Sequence, residues 1–327
     1  MQTIKTGVIG VGYLGRFHAQ KYAAIESSTL VGVVDTDLAQ AKKVAKECGC
    51  EAFTDYRQLL KEVDAVSIAV PTPAHHRVAG DCLDAGIDVL LEKPITVTLA
   101  EADDLIARAE AKNCVLQVGH LERFNPAVQA MLPFLTTPLF IESNRIAIFK
   151  SRGTDVDVVL DLMIHDIDII LNIVNSPIAT IHTVGAPVVT EKTDIANARI
   201  IFESGATANV TVSRISRKNE RKMRIFQPGS YINVDFGNRK VMTITLSETV
   251  RENGIPKQIV DLNSFTEGDA LLSEVESFLH HVENRTRPLV SGVEGRRALE
   301  VALQVIEQIH QHQNGPLYKE IINQKSL

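Results

Sequence analysis

From residue 4 to about 120, short apolar runs recur between stretches of helical spacing: IKTGVIG, TLVGVVD, DAVSIAV, IDVLLEK and NCVLQVG. Strands written as continuous apolar runs are buried on both faces, which predicts a parallel sheet with helices packed above and below it. The fold class expected is therefore α/β, with an N-terminal doubly wound Rossmann sheet. Beyond residue 138 the period changes. FIESNRIAIF, ATIHTVGAPVV, ARIIFES, ATANVTVS, YINVDF and VMTITL alternate in period two or nearly so, the pattern of a large, open, mostly antiparallel sheet. Gly205 between ARIIFES and ATANVTVS predicts a tight hairpin. Ala206, Ala208, Val210 and Val212 then share one face, with Thr207, Asn209, Thr211 and Ser213 on the other. Helical patterns close the chain, DALLSEVESFLHHVENRT and EGRRALEVALQVIEQIHQH. The organisation expected is a dinucleotide-binding domain over 1–122 and an α+β substrate and oligomerisation domain over 123–327.

Composition narrows the partners. The chain has 327 residues, 45% hydrophobic and 23% charged, enough to bury two cores. Its formal charge of −6 argues against general affinity for nucleic acid or anionic membrane. Cys48, Cys50, Cys82 and Cys114 show no Cys-x-x-Cys pair and no histidine spacing of a zinc site, so no metal is expected. The N-terminus enters a strand at once instead of a signal-peptide segment, and no stretch approaches a charge-free span. A cytoplasmic protein acting on a small molecule is expected.

Gly10, Gly12 and Gly15 in GVIGVGYLG lie between an apolar strand and a helical pattern. The first permits a tight turn, the second lets a pyrophosphate approach the backbone, and the third lets helix and strand pack closely. Tyr13 and Leu14 complete this turn. Asp35, with Thr36 after it, ends the second apolar run twenty residues past Gly15, where a carboxylate can bind the adenosine ribose hydroxyls. NAD is the cofactor expected. A 2′-phosphate about 4 Å from Asp35 would meet roughly 4 kcal/mol of repulsion at an effective dielectric of 20. Lys42 and Lys43 are the nearby cations that oppose it.

Residues 158–174, VVLDLMIHDIDIILNIV, are a second anomaly. On an ideal helix Asp161, His165, Asp168 and Asn172 fall within a stripe about 60° wide, while Asp166 points elsewhere. Such a stripe faces solvent, satisfies itself through i, i+4 pairs, or lines a polar site. Lys93 sits at the carboxyl edge of the fourth apolar run, where ligands of open α/β sheets bind.

The order and spacing of GVIGVGYLGRFHA, PTPAHH, CLDAGIDVLLEKPIT, QVGHLERFNPA, DLMIHDIDI and SGVEGRRALEVAL resemble the Gfo/Idh/MocA oxidoreductases. The resemblance implies that Lys93 of the E-K-P motif, Asp161 and His165 form the catalytic set, His165 as base. It also implies that Pro71, Thr72, Pro73, His76 and Glu92 lie at the cofactor, with His75 leaving the histidine ambiguous by one position. A homo-oligomer, dimer or tetramer, is implied too.

RISRKNERKMR, residues 214–224, concentrates six cations against Glu220, either as a solvated loop or as a receptor for an anionic substrate. HLERFNPAV and SRKNERKMRIFQPGSYINVDF are most similar to the branch that oxidises UDP-N-acetylglucosamine at carbon 3. That adds Arg123, Asn125 and Arg224 as candidate substrate contacts, although Arg123 and Asn125 could equally brace the domain junction. Inositol and glucose dehydrogenation, an NAD-recycling glycosidase and a non-catalytic sensor are the alternatives.

Overall fold

A computed structural model describes residues 3–149, 156–265 and 268–315. The chain forms two compact units. The first runs as far as Phe124 and resumes over Asp269–Leu299, and the second takes Asn125–Gly268 and the chain from Glu300 on. This differs from a single cut after residue 122, because the helix Ala270–Asn284 is built into the first unit. Its Val275, Phe278 and Leu279 join one core with Val8, Tyr22, Val33 and Leu90.

In the first unit, strands β1 (Ile4–Ile9), β2 (Ser28–Val34), β3 (Glu51–Phe53), β4 (Ala65–Ile68), β5 (Asp88–Glu92) and β6 (Leu116–Gly119) form a parallel sheet. The strand order is β3-β2-β1-β4-β5-β6. Every residue of β4, β5 and β6 is buried, as expected for strands written as unbroken apolar runs. The order reverses between β1 and β4, so the loops leaving their carboxyl ends flank the crevice where open α/β sheets take ligands. After β5, Thr98 and Glu101 form a reciprocal capping box that starts the helix Leu99–Lys112.

The second unit is an eight-stranded sheet of β7 (Phe140–Ile148), β8 (Ile178–Ala186), β9 (Ile195–Phe202), β10 (Thr207–Ser216), β11 (Glu220–Gln227), β12 (Ser230–Asp235), β13 (Lys240–Glu252) and β14 (Ile255–Ser264). Its order is β14-β13-β12-β11-β7-β10-β9-β8, antiparallel throughout except for the parallel pair β7 and β10. Gly205, at φ +86°, turns the hairpin between β9 and β10. Ala208, Val210 and Val212 are buried on one face of β10, and Ala206 just before it is buried too. The apolar helix Ile164–Ile173 packs against that strand. Its Asp166 points into the core rather than along the polar stripe. There its two oxygens accept from Arg145 Nε at 2.8 Å and Nη2 at 3.0 Å, a buried bidentate pair. Among the described residues, no helix is long and apolar enough to cross a membrane.

Candidate active site

The three glycines of the first turn are there for three different reasons. Gly10 adopts φ +86°, and a Cβ on it would lie 2.8 Å from the Ala69 carbonyl oxygen, so the loops after β1 and β4 touch through it. A Cβ on Gly15 would lie 1.8 Å from the Gly10 carbonyl oxygen, which seats the helix Tyr13–Ala24 on the strand. A Cβ on Gly12 would meet nothing within 4 Å. Gly12 is therefore free of any steric demand from the fold, and the space beside it is available to a ligand.

Asp35 closes the other side of the turn. Its Oδ2 accepts the Val11 backbone N–H at 3.1 Å and its Oδ1 that of Asp37 at 3.0 Å, which fixes the carboxylate at the end of β2. Thr36 beside it is exposed. A cavity of about 300 Å³ opens here, lined by Gly12, Tyr13, Arg16, Phe17, Gln40 and Lys43. Of the two lysines expected near Asp35, Lys43 lines this space, while Arg16 is engaged with Glu47. A slightly larger cavity of about 320 Å³ lies instead beside Cys114 and Val115, which lead into β6, far from the strands' carboxyl edge. The first cavity borders Gly12 at the end of β1, the place where open α/β sheets of this order take a dinucleotide's phosphates.

After β4, Pro71 leads into a 3₁₀ turn over Thr72–Ala74 and then the helix His75–Asp84. The adjacent histidines have different duties. His75 is buried, with its ring nitrogens 2.9 Å from the carbonyl oxygens of Pro94 and Val70, so it ties this turn to the E-K-P segment. Burial pushes its pKa down. His76, the residue that the family motif selects, reaches away to Asp104 at 2.7 Å. Sequence spacing could not separate the two.

Glu92 ends β5, buried, and Lys93 follows, half-buried. A second histidine, one that motif reading passed over, stands close to this lysine. His120, fully enclosed after β6, has its pKa lowered to about 3 by burial and by the cations of Lys93 and Arg123, against the pull of Glu92. It is a neutral imidazole at physiological pH. Arg123 is buried in the 3₁₀ turn Leu121–Phe124. Asn125, in the second unit, caps the helix Pro126–Met131 by accepting the Ala127 N–H at 3.0 Å, and its amide nitrogen donates to the Phe236 carbonyl at 3.3 Å. Those bonds give it a structural duty.

The polar helix of the second unit begins irregularly. Val159–Met163 forms a π-helical turn, in which Ile164 N–H reaches the Val159 carbonyl, and regular α-helix follows over Ile164–Ile173. Asp161 lies in that turn and His165 just after it, so the even α-helical stripe is interrupted between them. Such turns are frequent at functional sites. Asp161 and His165 are half-buried, Asp168 is buried and Asn172 exposed.

Most of the basic run lies on β10 and β11, and only residues 217–219 form the loop between them. Arg214 ends up buried against Asp194, Thr193 and Val156. Lys218 pairs with Glu220 at 2.7 Å, Lys222 lies 3.9 Å from Asp235, and Arg224 on β11 pairs with Glu142 on β7 at 2.5 Å. For Lys222 and Arg224 the carboxylates come from the neighbouring strands β12 and β7.

Two family models match the chain: one described as an oxidoreductase family, NAD-binding Rossmann fold, over residues 4–120, and the GFO/IDH/MocA C-terminal domain over 143–228. A curated UDP-N-acetylglucosamine 3-dehydrogenase of Acidithiobacillus ferrooxidans is 43% identical over 92% of this chain and 96% of its own. The chain belongs to the Gfo/Idh/MocA oxidoreductase family. A solved structure of the Acidithiobacillus enzyme superposes with a TM-score of 0.91 at 41% identity, covering 96% of this chain and 100% of that one. Myo-inositol 2-dehydrogenase of Thermotoga maritima is more distant, 24% identical over 90% of this chain and 93% of its own. The family's dehydrogenase character and its nicotinamide-dinucleotide fold thus apply to this chain.

Proposed function

We propose that this protein is an NAD-dependent dehydrogenase that oxidises UDP-N-acetylglucosamine to its 3-keto form. The observation that carries the substrate is the 43% identity to the Acidithiobacillus enzyme across nearly the whole of both chains. In support of NAD over NADP, Asp35 carries a carboxylate fixed by two backbone N–H groups at the end of β2, and such a charge would repel a 2′-phosphate brought beside it.

A bound nicotinamide supplies the hydride acceptor. His165 takes the hydroxyl proton as the carbinol C–H bond breaks, and Asp161 orients its imidazole. The Lys93 ammonium hydrogen-bonds the substrate oxygen as negative charge develops on it. Because His120 is neutral, its ring adds no positive charge of its own to those of Lys93 and Arg123. Assembly as a dimer or tetramer is supported by apolar side chains exposed on β14, including Ile255, Ile259 and Leu262. The free thiols of all four cysteines are in keeping with the cytoplasm.

The test is incubation with NAD and a panel of UDP-sugars and free polyols, following NADH and product mass. Equimolar NADH and a product two hydrogens lighter from UDP-N-acetylglucosamine are expected. His165→Ala should lose about 10²–10⁴ in kcat with NAD affinity kept. Activity confined to uncharged polyols refutes the substrate, and near-normal kcat in the variant refutes the base.

A further inference from the structure

The first unit buries a second cluster of acid–base groups, none of which is assigned a proton transfer in the proposed chemistry. His18, Glu92 and Glu274 are brought together from the helix Tyr13–Ala24, from β5 and from the helix Ala270–Asn284, with one ligating atom from each lying within 4.8 Å of the others. A chain of hydrogen bonds runs into it. Tyr22 Oη is 2.8 Å from Ser67 Oγ, Ser67 Oγ is 3.1 Å from His18 Nδ1, and His18 Nε2 is 3.1 Å from Glu92 Oε1. The remaining oxygen of Glu92, Oε2, accepts the backbone N–H of Lys93 at 3.2 Å.

Both oxygens of Glu92 thus face nitrogens able to donate, the arrangement that stabilises a carboxylate. Glu274 is placed quite differently. It is 0% exposed, and among the described residues neither of its oxygens has a hydrogen-bond partner. The titratable groups facing it are His18 and Tyr22 from one helix and Glu92 from β5, while β6 offers the uncharged Gln117, whose amide nitrogen bonds the Glu274 backbone carbonyl at 3.1 Å. An ionised Glu274 would be a second negative charge beside Glu92 with no donor to hold it.

We propose that Glu274 is a neutral carboxylic acid whose O–H is directed at Glu92, a positioning residue that fixes the carboxylate holding the Lys93 backbone. Burial, with the charge of Glu92 adding to it, displaces the Glu274 pKa well above the ordinary carboxylate range. The positioning role rests on Lys93 acting in catalysis; the location of the proton does not.

Infrared spectroscopy of the full-length protein reads the proton directly. At pH 7, wild type minus Glu274→Gln should show one neutral carboxylic acid carbonyl band, and wild type minus Glu92→Gln should not. Because the glutamine amide also donates, Glu274→Gln should keep kcat within about threefold, whereas Glu274→Ala should lose about tenfold or more with NAD affinity retained. Absence of the acid band, its loss in Glu92→Gln instead, or equal kcat in the glutamine and alanine variants overturns the proposal. So does one equivalent of a tightly held divalent metal by mass spectrometry, since a cation in this cluster requires all three ligands deprotonated. If no substrate is turned over, the infrared and metal measurements still decide where the proton is.

Discussion

Gly12→Ala and Gly15→Ala each add one methyl to the same turn, and the structure assigns them opposite consequences. At residue 15 the new Cβ lies 1.8 Å from the Gly10 carbonyl oxygen, about 1.6 Å short of the 3.4 Å at which ordinary contact begins. The neighbour cannot rotate away. It is backbone, and Gly10 is itself held at φ +86° against the Ala69 carbonyl. Overpacking of this kind costs about 1–3 kcal/mol or more, which for a unit of this size lowers Tm by roughly 2–12 °C. At residue 12 the methyl meets no protein atom within 4 Å, so stability should stay within about 0.5 kcal/mol of wild type. The same methyl fills the approach that a pyrophosphate needs, and the dissociation constant for NADH should rise at least about tenfold, or 1.4 kcal/mol. Thermal unfolding without ligand and NADH fluorescence titration below both melting points measure the two quantities separately. If Gly12→Ala binds NADH within twofold of wild type, or melts as early as Gly15→Ala, the division of labour among the glycines is wrong.

Asp166→Ala leaves the buried Arg145 guanidinium without its carboxylate and should cost about 3–5 kcal/mol in denaturant unfolding, most of it recovered when Arg145→Met and Asp166→Leu are combined. Asp194 accepts the backbone N–H groups of Val188, Val189 and Thr190 at 2.6–2.8 Å. Burial raises its pKa, yet these bonds and the Thr190 hydroxyl outweigh burial and hold it at about 2. With the folded value below the unfolded 3.8, the stabilisation is complete above pH 3.8 and is lost as pH falls through 2. Asp194→Asn should therefore cost about 2 kcal/mol at pH 7 in urea titrations, with a difference from wild type that shrinks toward pH 2; a constant difference refutes it. Asp35→Ala should raise the NADP to NAD ratio of kcat/KM at least about tenfold, and an unchanged ratio removes Asp35 from cofactor choice.

The period of the apolar positions carried most of the fold. Continuous runs became the buried parallel strands, and alternating ones the open sheet with Ala208, Val210 and Val212 inward. The helix Ala270–Asn284 shows where such reading stops. Its apolar stripe states that one face is buried without saying in which core, and only the sharing of one core by Val275 and Phe278 with Val8 and Tyr22 assigns it to the first unit. The basic run shows a related limit. A cation count says nothing of the carboxylates that neighbouring strands bring alongside, and Arg224 meets Glu142 only because β11 pairs with β7 in that register.

The candidate site divides along the same line. Gly10, Gly12 and Gly15 were legible because each answers a local demand of the turn or of its ligand. The buried partners were not, since Glu274 stands 182 residues from Glu92 in the sequence. The polar helix holds both cases within six residues. Asp166 and Asp161 are the same residue type in the same apolar surroundings, yet Asp166 is spent on Arg145 in the core, while Asp161 and His165 flank the end of a π turn and retain partial exposure. A shift from α to π hydrogen bonding has no compositional signature, so an ideal helical wheel gives Asp161 an angle that the backbone does not keep. Burial separates the aspartates where spacing cannot. A carboxylate locked bidentate in a core is unavailable for chemistry, whereas a partly exposed one, as the proposed role of Asp161 requires, is not committed in that way.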